Sequence, residues 1–139
     1  MTKILIDTNI VIDLLAKRES FYKSAAQLFS LADKQKIELS ISALTFANTN
    51  YILSRLKSTQ EAREVLRRFR ILIKVLPLND KIIDLALNDN NFNDFEDGLQ
   101  YYSAVEYEQD IIITRDLKDF KESKIPVMTA EEYLASIDQ

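Results

Sequence analysis

Short apolar runs recur along the chain at wide intervals: Ile4-Leu5-Ile6, Leu39-Ser40-Ile41, Ile73-Lys74-Val75-Leu76 and Ile111-Ile112-Ile113. A weaker fifth stands at Pro126-Val127-Met128. Such continuous runs, rich in β-branched residues, suit strands of a parallel sheet covered on both faces. The stretches between them carry a helical period. Phe21, Ala25, Leu28, Phe29 and Ala32 make one apolar stripe, and Ala62, Val65, Leu66 and Phe69 make another after Ser58. Ser58 with Glu61 predicts a capping box, as does Thr129 with Glu132 before Tyr133, Leu134 and Ile137. Asn79 precedes a helix marked by Ile82, Ile83, Leu85 and Ala86, and Asn93 with Glu96 opens one carrying Leu99, Tyr102 and Val105.

Strands alternating with helices predict right-handed crossovers and an α/β fold, a three-layer α/β/α sandwich around a central parallel sheet of four to five strands. No internal repeat, low-complexity tract or Pro/Gly/Ser linker interrupts the 139 residues, so the expectation is one domain over 1–139. In open sheets of this kind, ligands sit at the carboxyl ends of strands, near the point where strand order reverses.

Composition narrows the chemistry available there. The chain has no histidine and no cysteine, which excludes a Ser-His-Asp triad, a thiol nucleophile, a zinc site of imidazole or thiolate, and a disulfide. Glycine occurs only at Gly98, so no P-loop or G-x-G-x-x-G loop exists. Catalysis therefore falls to carboxylates, hydroxyls, amides, Lys/Arg or a hard metal. No apolar stretch approaches the ~18 residues of a membrane span. The amino terminus meets an apolar run and then an acid, without the parts of a signal peptide, and a cytoplasmic protein is expected.

Acids follow two of the predicted strands. Asp7 ends the first run and Asp116 stands just past the fourth, with Asp119 three residues on; Asp97 lies in the first turn of the helix between them. Acids from distant parts of the chain thus point to one sheet edge. Crowded carboxylates repel one another, and a divalent cation offsets that repulsion. All-oxygen ligation suits Mg²⁺ or Mn²⁺. Each acid also has a plainer reading: Asp7 as the N-cap of the next helix, Asp94, Glu96 and Asp97 as complements of a helix dipole, Asp116 and Asp119 as loop acids. A phosphoryl-transfer domain with an Asp nucleophile would need a second acid two residues past Asp7, where Asn9 stands.

Four segments in order resemble the PIN domain family, as in VapC-type toxins. They are Leu5-Ile6-Asp7-Thr8-Asn9-Ile10-Val11-Ile12-Asp13, Ile41-Ser42-Ala43-Leu44-Thr45-Phe46-Ala47, Asp97-Gly98-Leu99-Gln100-Tyr101-Tyr102-Ser103-Ala104, and Ile112-Ile113-Thr114-Arg115-Asp116-Leu117-Lys118-Asp119-Phe120. The resemblance implies a metal-dependent ribonuclease acting on RNA, a homodimer and, for toxin members, a small antitoxin. It makes Asp7, Asp97 and Asp116 the metal-binding acids, Thr8 and Asn9 the braces of the first, Thr114 the hydroxyl beside the last, and Asp119 a further acid at the rim. It also exposes a departure: the family usually has Glu where Asn48 stands. An amide oxygen ligates a metal but brings no charge. Glu96, Asp94 and Asp13 are the candidates to replace it; otherwise the chain is a catalytically weak or inactive PIN-like module that binds RNA or protein.

The formal net charge is −4, yet its distribution is uneven. Residues 51–81 hold eight basic and three acidic side chains, whereas residues 90–122 hold nine acidic and three basic. Arg63, Arg67 and Arg70 share a helix face and are candidates to hold RNA phosphates. The alternative is a solvated face with Glu64 and Arg68 as an i, i+4 pair. Six tyrosines offer base-stacking surfaces or, at helical spacing, core and interface contacts.

Overall fold

A computed structural model describes residues 1–137; the last two residues of the expected 1–139 domain lie outside the described residues. The chain alternates as the apolar runs predict. Strand β1 (Thr2–Ile6) leads to helices α1 (Thr8–Leu15) and α2 (Tyr22–Asp33), and β2 (Ile37–Ser42) leads to α3 (Ala43–Leu56) and α4 (Thr59–Leu72). Then follow β3 (Lys74–Leu76), α5 (Asp80–Leu87), α6 (Phe95–Glu106), β4 (Ile111–Ile113), a 3-10 turn over Leu117–Phe120, β5 (Val127–Met128) and α7 (Ala130–Ile137). Among the described residues, no helix is long and apolar enough to cross a membrane.

The five strands form one sheet in the order β3-β2-β1-β4-β5, with every neighbouring pair parallel. Alternate side chains feed two cores. Ile4 and Ile6 pack with Leu28, Phe29, Leu53, Leu66 and Phe69 on the α1–α4 and α7 side, whereas Leu5 and Ile112 meet Phe92, Tyr101 and Phe120 on the α6 side. Ile4, Leu5 and Ile6 are fully buried, and burial of a side chain of this size contributes about 1.5–3 kcal/mol. Strand order reverses between β1 and β4. The carboxyl ends of those two strands, where Asp7 and Thr114 follow, therefore mark the expected position of a ligand.

Local caps agree with the sequence at Ser58–Glu61, Asn79–Ile82 and Thr129–Glu132. One differs. Asp94, not Asn93, caps α6, its carboxylate accepting the Glu96 amide at 2.7 Å. A carboxylate serves the orphan amides of a helix start and its positive dipole end together, and the neighbouring amide side chain offers only the first.

Candidate active site

Helix α1 begins directly off β1, and this places the first acid. The Asp7 backbone amide donates to the Ile113 carbonyl at 3.0 Å, so the first residue past β1 is laced to the end of β4. Its side chain caps α1, accepting from the Thr8 amide at 2.7 Å. Capping and site membership coincide here: the same carboxylate also accepts the Thr114 hydroxyl at 2.8 Å, the Gln100 amide at 3.1 Å and the Asn9 amide at 3.5 Å. Asn9 also donates to Asp116 at 3.2 Å, so one short side chain bridges the two acids. Asp116 is held further by its own amide, which donates to the Thr114 hydroxyl at 3.0 Å.

Asp7, Asn9 and Asp116 line a cleft of about 270 Å³ with Asp94, Glu96, Asp97, Asp119, Thr8, Asn48, Gln100 and Leu44. Six of its eleven lining residues are acids and none is Lys or Arg. Asp97 carries the electrostatic consequence. Burial, followed by the charges of Asp94, Asp7, Asp119 and Asp116, pushes its carboxyl up to about 7. Asp7 is also raised, because its desolvation outweighs the donors that favour its charged form.

Asn48 on α3 faces an acid across the cleft, donating to Glu96 on α6 at 2.9 Å. Of the acids weighed as substitutes, Glu96 and Asp94 line the cleft, whereas Asp13 does not: it is 1% exposed and bound by Arg115. Gln100 is a site residue that sequence reasoning passed over. Its amide donates to both Asp7 and Thr45, and its carbonyl oxygen is buried without a hydrogen-bond partner among the described residues. The signal was there in outline: a polar residue one turn past Asp97, on a helix buried nearly all round.

The donors are all oxygen, negative in excess and partly unsatisfied, which fits a hard divalent cation. Among the described residues, no three acids are drawn into a closed ligand cage. An ion bound here would keep several waters, as Mg²⁺ commonly does.

The other candidates lie elsewhere. Arg63, Arg67 and Arg70 line a separate groove with Phe46 and Leu66, none of them in the acidic cleft. Arg67 and Arg68 both reach Glu64, at 3.6 and 3.9 Å, and Arg70 donates to the Ile73 carbonyl. Tyr101 and Tyr133 are buried; Tyr102 packs against Phe92 and donates to Asp89. Tyr22 and Tyr51 are exposed.

Known proteins are similar to this chain in sequence and in fold. The chain is 28% identical over 138 residues to Ribonuclease VapC1 of Aquifex aeolicus (strain VF5), covering 94% of this chain and 92% of that one. VapBC-1 from nontypeable Haemophilus influenzae matches the fold with a TM-score of 0.71 at 16% identity, over 94% of this chain and 99% of that chain. A toxin-antitoxin complex from Klebsiella pneumoniae matches with a TM-score of 0.68 at 23% identity, over 91% and 97%. A family model described as a PIN domain matches residues 3–118. That stretch contains every cleft acid except Asp119, and the chain belongs to the PIN domain family.

Proposed function

We propose that the chain is a Mg²⁺- or Mn²⁺-dependent endoribonuclease that hydrolyses RNA phosphodiester bonds, the toxin of a toxin–antitoxin pair. The observation that carries this reading is the cleft of six acids and no cation-bearing side chain, on a fold shared with a ribonuclease. Such a cleft repels a phosphodiester unless a bound cation reverses its charge.

Asp7, Asp97 and Asp116 would hold the cation, with Asp119, Glu96 and Asn48 at its margin. When bound, it supplies Lewis-acid polarisation of the scissile phosphate and a more acidic water. The rest is the work of side chains. Thr114, Gln100 and the Thr8 amide fix both Asp7 oxygens, so this carboxylate presents one geometry. Asn9 sets the spacing between Asp7 and Asp116. Asn48 holds Glu96 toward the cleft, so the charge missing from α3 arrives from α6. Without a cation, burial and the neighbouring acids push Asp97 up to about 7, and a cation held beside it would favour its charged form.

Arg63, Arg67 and Arg70 offer phosphate contacts beyond the cleft. Replacing Arg63 and Arg67 together by Ala should lower the salt slope of RNA binding by about 1.4. The reading also includes a second copy of the chain and a small antitoxin; a similar structure from Klebsiella pneumoniae is itself a toxin-antitoxin complex.

The test is RNA cleavage by the wild type in Mn²⁺, with EDTA and Asp7→Asn controls from the same preparation. Cleavage lost in both controls supports the reading. Cleavage that survives both overturns it. Absence of wild-type cleavage together with absence of Mn²⁺ binding by calorimetry marks the chain as a binding module without turnover.

A further inference from the structure

Behind the cleft lies an ion pair that the proposed chemistry does not use. Asp13 is the only buried acid among the described residues, and Arg115 grips it with both arms of its guanidinium, Nε at 2.8 Å and the second nitrogen at 3.0 Å. The guanidinium lies 4.0 Å from the centroid of the Phe21 ring, and Arg18 adds a second cation 3.9 Å from Asp13. A pair of this kind is poor value as a source of stability, because the desolvation of both charges offsets most of their attraction. Its geometry suggests another role. Arg115 stands between Thr114, which donates to Asp7, and Asp116, which accepts from Asn9. Its own backbone amide donates to the Asn9 side-chain oxygen Oδ1 at 3.3 Å. Asn9 and Asp13 are one turn apart on the same face of α1. The segment after β4 is therefore pinned to α1 at two successive turns, once by backbone and once by the fork of the guanidinium.

We infer that Arg115, clasped by Asp13 and Phe21, is a positioning residue that fixes Asp116 relative to Asp7. The link to cation binding and cleavage rests on the ribonuclease reading; the placement of Asp116 does not. The whole chain is compared as wild type, Asp13→Asn and Arg115→Lys, the latter keeping the charge without the fork. Amide hydrogen exchange at Arg115 and Asp116 should speed about tenfold or more in Asp13→Asn, while Ile112 and Ile113 in β4 keep their protection. Mn²⁺ affinity measured by calorimetry should fall roughly 10- to 100-fold. On RNA, kcat should fall with KM nearly unchanged, and Arg115→Lys should lie between Asp13→Asn and the wild type. If Asp13→Asn does not fold, Arg115→Lys decides by the same readings. Unchanged exchange at Arg115 and Asp116 with unchanged Mn²⁺ affinity in the folded variants overturns the inference. If the wild type neither binds Mn²⁺ nor cleaves RNA, the ribonuclease reading fails and the exchange rates alone decide the clasp.

Discussion

Helices α4 and α6 begin alike and are built for opposite ends. α4 opens with a complete capping box, buries Ala62, Leu66 and Phe69 on one stripe, and turns its arginines and glutamates to water. Local propensity, capping and burial agree along its length. α6 is buried on most sides, through Gly98, Leu99, Gln100, Tyr101, Ser103 and Ala104, and its first turn is crowded with Asp94, Glu96 and Asp97. Two of its inward polar atoms, Gln100 Oε1 and Ser103 Oγ, have no hydrogen-bond partner among the described residues. A helix dipole welcomes acids at its amino end, but not a carboxylate that burial and four other acids push up to about 7. α4 is a helix that holds the fold, and α6 is one that the fold holds for chemistry.

Mutations should separate the two. The largest effect belongs to α4: Phe69 lies between the rings of Phe29 and Phe46, at 5.5 and 6.0 Å, and is nearly fully buried. Phe69→Ala should cost about 3–5 kcal/mol in denaturant unfolding. Asp97→Asn should behave in the opposite sense. Cleavage should fall more than about 100-fold, beyond what the loss of an outer partner of a metal ligand brings, which corresponds to about 2.7 kcal/mol of barrier.

The stability of Asp97→Asn should rise in the metal-free protein. The folded value near 7 lies above the ordinary 3.8, so folding takes up a proton between those limits. The penalty is absent below about pH 4, grows as pH rises and is complete above about 7. Asp97 is half-exposed, and solvent screening reduces the gain to the order of 1 kcal/mol, about 3 °C in melting temperature. Thermal unfolding in EDTA should show that gain at pH 8 and lose it at pH 3.5.

Ser58→Ala, which removes the α4 cap, should cost about 1 kcal/mol at any pH where the chain is folded. The smallest effect falls on the exposed Glu64 pairs: Glu64→Ala should change stability by less than about 0.5 kcal/mol, shrinking further in salt.

The same contrast explains what could be read before the structure was known. The strands, the capping box of α4 and the acids at the ends of β1 and β4 all follow from local rules: a run, a cap, an acid where a strand stops. The sheet order adds only the switch point that places Asp7 beside Thr114. What escaped were contacts between elements far apart in the chain. Gln100 looks like one more helix residue until β1 and α3 are set against it. Asn48 looks like a missing charge until Glu96 is found across the cleft. Asp13 has the sequence profile of a cleft acid, yet it lies one turn too far along α1 and is occupied by Arg115. The cap at Asp94 was missed by one residue because either side chain there can accept an amide, and only their charges separate them.

The bond between Asp7 and Thr114 spans 107 positions, as does the bridge from Asn9 to Asp116. During synthesis Asp7 is added 107 residues before Thr114 and waits over that whole interval. Until the stretch after β4 has left the ribosome and β4 has slotted against β1, Asp7 has neither its hydroxyl donor nor its partner acid. The acid pair is incomplete throughout that interval, and a chain cut short before Thr114 lacks both Thr114 and Asp116.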